Sequence, residues 1–446
     1  QWSLVIVDFV WGNVLWLVLG AGLFFTLYCR WVPFCYLWHG IQILSGKYDN
    51  NNEPGQLSHF KALSTALAST VGMGNLAGVA VAIQLGGPGA LFWMWVTAIL
   101  GMSTKFFTCT LAVLFREKDS DGQVHGGPMY VITQGLSKKW HGLAYLFSIA
   151  GCIGCLPLFQ VNQLTALLNN HVMKIGMTNM ALNSWVIGVS IAILTWAVMR
   201  GGLTRIAAFT STLVPFMVVL YMGIASIIII KNITIIPSML YAIFHTAFMP
   251  TSMLGGGVGM VMLQGIKRGA YSNEAGIGTE ALAHGTAKTT EPVREGLVAM
   301  LGPLIDTLII CTLTGLIILC AGEWTDKTLS GINLTSHSII SQGGVVLGGL
   351  FFVCVCAFSF STLVGYSFYS FKCITFLFGK KAKTYFLPLY LGMLIISSII
   401  SLDLVINIVD SAFGIMAVPT LISTLLLSSK VMKEAKRYFE KIDKER

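Results

Sequence analysis

Long apolar runs alternate with short polar stretches along the whole chain. A window of about 19 residues isolates eleven runs long enough to cross a bilayer as helices. They fall at 8–30, 58–87, 88–116, 141–171, 184–200, 206–230, 240–268, 296–322, 345–378, 383–402 and 404–428. The longest polar connections are 46–57, 117–140, 267–295 and 322–344, and none has room for a soluble catalytic domain. The pattern predicts an all-α polytopic membrane protein.

Glycine interrupts two of these runs. The second reads Thr70-Val71-Gly72-Met73-Gly74-Asn75, and the seventh reads Thr251-Ser252-Met253-Leu254-Gly255-Gly256-Gly257-Val258-Gly259. Each interruption opens a set of five runs, at 58–230 and 240–428. Because five is odd, the second set must lie inverted relative to the first, and matched breaks in inverted halves point to a transporter's mid-membrane site. Unwound backbone in hydrocarbon survives only where it lines a cavity or binds something. Free N–H groups suit a carboxylate, and free carbonyls suit an ammonium or an alkali cation. The competing reading is close helix packing, since Gly74/Gly78 and Gly255/Gly259 each fit GxxxG. Two clusters at matched positions, one ending in Asn75, favour a site. The expected organisation is an extra helix and linker over 1–57, repeats over 58–230 and 240–428, and a tail over 429–446.

Composition agrees with a membrane solvent. Of 446 residues 55% are hydrophobic and 11% charged, against about 25% charged in soluble domains. The net charge of +9 does not imply nucleic acid, because the basic residues fall between apolar runs. With the N-terminus outside, 24 of the 28 lysines and arginines lie in cytoplasmic segments, Lys267 and Arg268 among them. That bias sets the expected topology, with the C-terminus cytoplasmic. Arg30 follows the first run and no basic residue precedes it, so that run is expected to be a helix rather than a cleaved leader. Cys152, Cys155, Cys311, Cys320, Cys354 and Cys356 lie inside apolar runs and are expected to be free thiols.

The motifs Gly74-Asn75-Leu76-Ala77-Gly78, Gly86-Gly87-Pro88-Gly89 and Gly126-Gly127-Pro128-Met129-Tyr130 are more specific. With Ser272-Asn273-Glu274-Ala275-Gly276-Ile277-Gly278 and Phe360-Ser361-Thr362-Leu363-Val364-Gly365, they resemble the alanine or glycine:cation symporter family over nearly the whole chain. The resemblance implies a LeuT-like inverted repeat of five and five helices with two broken helices, preceded by one extra helix. It implies import of alanine or glycine with Na+ across a bacterial inner membrane, with no organic cofactor. A substrate site is implied at Gly72, Met73, Gly74, Asn75, Phe159, Gln160, Met253, Gly255, Gly256, Thr362 and Tyr366. A Na+ site is implied at Thr70, Met73, Phe358, Ser361 and Thr362. Three positions depart from the family pattern. Met73 stands where the family usually has Thr, Tyr366 replaces the usual Trp, and Phe413 and Thr420 replace asparagines.

Sodium is expected over protons because 70–75, 251–259 and 358–365 contain no titratable group, whereas Ser361, Thr362 and unwound carbonyls supply neutral oxygen. Asp306 and Asp410 lie within runs, where ionisable groups are functional suspects. Asp403 is expected in a solvated turn, Glu274 in a cytoplasmic motif near an inner gate, and the tail as a lipid-skimming amphipathic end. A channel is disfavoured because one chain supplies both inverted halves, which also suits a monomer. A membrane enzyme is disfavoured because there is no HExxH, no GxSxG and no paired intramembrane His and carboxylates. The sequence leaves open alanine, glycine or serine, the L or D isomer, H+ as the coupled ion, the stoichiometry and the oligomeric state.

Overall fold

A computed structural model describes residues 2–50, 52–119, 122–174, 183–249, 259–379 and 381–445. Among these, seven helices are long and apolar enough to cross a bilayer, or eight if one bent pair counts as a span. Ser184–Met199 and Thr384–Ser397 are shorter apolar helices at two of the other predicted spans. Helix α1 (Trp2–Tyr28) precedes the bent pair of α2 (His59–Thr70) and α3 (Val79–Gly86), joined through a π-helical turn at Gly74–Gly78. The two halves meet at 50°. The first predicted break is therefore present where the glycines place it.

The predicted span 240–268 is not one helix: α4 (Ile236–Ala247) ends, and α5 (Gly259–Asn273) begins anew. The expected interruption, with Met253, Gly255 and Gly256, lies outside the described residues. A second described break follows α5, where Glu274, Gly276 and Gly278 have φ of 56°, 86° and 93°. These left-handed torsions cannot continue a helix. The chain resumes as α6 (Glu280–His284).

Packing fixes the level of this break. At what we term the upper end of the bundle, a β-carbon on Gly86 would touch Val261 and Gln264 of α5, and Gln84 bonds the Leu329 carbonyl. At the lower end, Leu57 pairs with Ala287 and Arg116 donates to the Ala287, Pro54 and Thr289 carbonyls. So α3 runs beside α5 in the upper half and α2 beside α6 in the lower half. Residues 274–279, expected in a cytoplasmic loop, are the middle of a broken helix. Lys267 and Arg268, counted as cytoplasmic, lie on α5 in the upper half.

The remaining elements frame this pair. Helix α7 (Pro292–Ala299) leads through a second π-helical stretch at Leu304–Cys311 into α8 (Thr312–Ala321). Helix α9 (Ile332–Phe378) is kinked at Gly344, whose φ is 72°. The last helix, α10 (Leu402–Glu445), runs unbroken through the tail. That tail is not simply lipid-skimming. Phe439 stacks on Tyr36 with centroids 3.9 Å apart, and Tyr438 bonds His39 at 2.9 Å. Arg437 and Lys441 both pair with Glu291. Burial raises the Glu291 pKa, but these two cations outweigh it and hold the carboxyl below its ordinary range. All ten cysteines are free.

Candidate functional site

The first break is tied off by its own asparagine. Leaving the helix at Val71 frees the Gly72 N–H, and Asn75 Oδ1 accepts it at 2.9 Å. The other end of the amide donates to Asp306, at 2.6 Å to Oδ1 and 3.1 Å to the backbone carbonyl. Asp306 sits in the π-helical stretch, where the wider turn leaves a position free to face inward. It also accepts from Ser272 Oγ at 2.7 Å and Thr307 Oγ1 at 2.8 Å. Asn75, Ser272, Asp306 and Thr307 are completely buried. One carboxylate thus joins the first break to the end of α5. Sequence reading left Asp306 undecided, and Ser272 was seen only as part of a motif.

The second break carries a carboxylate of its own. Glu274 is completely buried, accepts from the Tyr366 hydroxyl at 2.7 Å and accepts from the Thr279 hydroxyl. The sodium preference rested partly on the lack of titratable groups at the breaks, and that premise fails: Asp306 and Glu274 are both there.

Between the breaks lies an aromatic group. Phe159 meets Tyr271 edge to face at 5.5 Å. Phe413 lies 5.4 Å from Tyr271 and 6.4 Å from Tyr366. An ideal β-carbon on Gly74 would lie 3.2 Å from the Tyr271 ring. Gln160 is buried beside the Tyr271 hydroxyl, and its Oε1 has no hydrogen-bond partner. A buried amide oxygen without a donor costs free energy unless something else supplies one. Gly74, Phe159, Gln160 and Tyr366 are therefore brought together, while Tyr271 was missed because one tyrosine in an apolar span carries no distinguishing signal.

Above this group, Arg268 lies over the Tyr271 ring at 5.5 Å and pairs with Asp410. Lys267 reaches the same carboxylate at 2.8 Å, and the Trp11 indole donates to the Asp410 carbonyl. Below, Glu295 on α7 accepts from His59 at the foot of α2 and, at 2.6 Å, from His284 at the foot of α6. Buried polar contacts therefore tie α5 to α10 at the upper end and α2 to α6 at the lower end.

The hydroxyl face lies where α9 crosses α2. Ser361 Oγ donates across to the Ala68 carbonyl at 3.4 Å. Thr362 Oγ1 donates to the Phe358 carbonyl, one turn back, at 3.0 Å. A β-carbon at Gly72 would lie 2.2 Å from that threonine oxygen, so only glycine lets the break approach it. Each hydroxyl thus spends its proton on one carbonyl and keeps lone pairs for a cation. Thr70 does not join them through its side chain, because its hydroxyl turns back to Ala66. Met73 is completely buried and brings no side-chain oxygen.

Comparison with known proteins agrees with this architecture. The sodium:alanine symporter family matches residues 1–446. The sodium/alanine symporter AgcS of Methanococcus maripaludis is 38% identical over 444 residues, covering 97% of this chain and 96% of its own. A Bacillus subtilis protein named "Probable sodium/glutamine symporter GlnT" is 34% identical, covering 97% and 89%. The crystal structure of MhsT in complex with L-phenylalanine superposes with a TM-score of 0.62 at 14% identity, over 86% of this chain and 93% of that one. The likeness shows a shared LeuT-like fold.

Proposed function

The chain belongs to the sodium:alanine symporter family, whose members are transporters rather than enzymes, and we propose that it imports alanine or glycine with sodium by alternating access. The observation that carries this reading is the bond from Ser361 to Ala68, which, with Thr362 beside Gly72, sets two hydroxyls against the first break. Such a set of hard oxygens replaces the hydration shell of a sodium ion. The ion's charge beside the freed backbone of 72–74 then favours the substrate carboxylate, while Asp306 faces the ammonium. Gln160 supplies its unpartnered oxygen, and Phe159, Tyr271 and Phe413 line the site. Because Asn75 and Ser272 both hold Asp306, ligand at that carboxylate is felt by both broken helices.

Sodium coupling is tested by uptake into proteoliposomes with sodium replaced by choline. Uptake should collapse in choline. Ser361→Ala and Thr362→Ala should each raise the half-saturating sodium concentration about tenfold, the equivalent of roughly 1.4 kcal/mol. Unchanged sodium dependence in both variants would remove the assigned ion site.

We further infer that the upper end faces outward and that the protein resides in a bacterial inner membrane, where one chain suffices. With Lys267 and Arg268 reassigned, 22 of the 28 basic residues still fall on the lower, cytoplasmic side. In a Cys35→Ser background, Lys327→Cys should react with an impermeant maleimide in intact cells, and Lys118→Cys only after permeabilisation. The opposite result would invert the topology.

A further inference from the structure

Three carboxylates and one lysine are buried around the breaks. Asp306, Glu274 and Glu280 are wholly enclosed and Lys105 is 2% exposed. Lys105 lies near Glu274, Asp306 and Glu280, and its one charge can offset only one of them. Asp306 is left for the substrate ammonium, while the substrate carboxylate and the sodium ion offset each other. Glu274 and Glu280 then share that one lysine, and Glu274 has no cation in contact. Among the described residues no lysine, arginine or histidine lies within ion-pair distance of it. A bare carboxylate at this depth is unfavourable.

The surroundings select what can neutralise it. Each carboxylate oxygen of Glu274 already takes a hydroxyl, from Tyr366 on α9 and from Thr279 in its own loop. The other titratable neighbours are Tyr271 on α5, Tyr369 on α9, Cys155, Lys105 on the helix Gly89–Leu114 and Glu280 on α6. Tyrosine rings and a thiol are no cage for a metal cation, which needs several hard oxygens. A proton needs one oxygen. The residue also sits in left-handed backbone inside a helix break, so a change in that break moves its carboxylate relative to Tyr366 and Thr279.

We propose that Glu274 carries a proton through the transport cycle, so that each substrate crosses with a proton as well as sodium. Its carboxylate gains the proton from outside water, forming an O–H bond within the closed site. It returns the proton to cytoplasmic water when the second break opens at its lower end. The inference rests on the symport reading above.

Proteoliposomes with trapped pyranine, clamped at zero potential with potassium and valinomycin, separate the two. Alanine added with an inward sodium gradient should acidify the interior of wild-type vesicles, with about one proton per alanine. An imposed inward pH gradient at equal sodium should by itself drive alanine accumulation. In Glu274→Gln the protons carried per alanine should fall to zero in whatever uptake remains. Sodium-driven uptake by the wild type without acidification overturns the proton role and leaves the symporter standing. Absence of sodium-driven uptake overturns the symport reading instead. Acidification that persists per alanine in Glu274→Gln overturns the assignment to this residue. If that variant does not fold, the wild-type proton count still decides.

Discussion

Asp410→Ala is expected to destabilise the protein by about 3–5 kcal/mol, the usual result of removing one partner from a buried ion pair. Two cations lose their carboxylate at once, since Lys267 and Arg268 both end on it and Arg268 retains only 3% side-chain exposure. The effect should appear as a large drop in unfolding temperature in detergent. Replacing all three residues by apolar ones of similar size should recover much of the loss, because it leaves no unpaired charge. Transport should respond differently. The pair ties α5 to α10 just above Tyr271, so the triple variant should remain folded yet leave the upper side open, with a cysteine at position 271 reacting from outside. A small stability loss for Asp410→Ala would mean that water already reaches these charges.

Asn75→Ala is expected to weaken alanine and glycine binding by about ten- to a hundredfold. The amide satisfies the Gly72 N–H and holds Asp306, and leaving one buried polar partner unmade costs about 1–3 kcal/mol. Gln160→Ala makes the contrast. Its Oε1 has no partner to abandon, so it should lower affinity with little loss of stability, whereas Asn75→Ala should lower both. Calorimetric titration beside thermal unfolding reads the two quantities separately. Normal binding by both variants would place the substrate elsewhere.

The sequence by itself determined a membrane protein with inverted halves, the first break, and the Ser361–Thr362 face. These are local signals: glycine and hydroxyl groups stand out in apolar runs because hydrocarbon tolerates freed backbone and polar side chains only for a reason. The break at 274–278 was not anticipated for the same reason. A run of four glycines at 255–259 outweighed 274–278, where part of the unwinding falls on a glutamate with φ 56°, a conformation its composition does not announce. The pairings were decided by tertiary structure alone. Asn75 meets Asp306 across 231 residues and Arg268 meets Asp410 across 142. A charge in an apolar span reads equally as a suspect ligand or as half of an ion pair until packing supplies the other half. Packing made Asp410 half of an ion pair with Lys267 and Arg268, made Asp306 the link between the two broken helices, and enclosed Glu274 with hydroxyls but no cation.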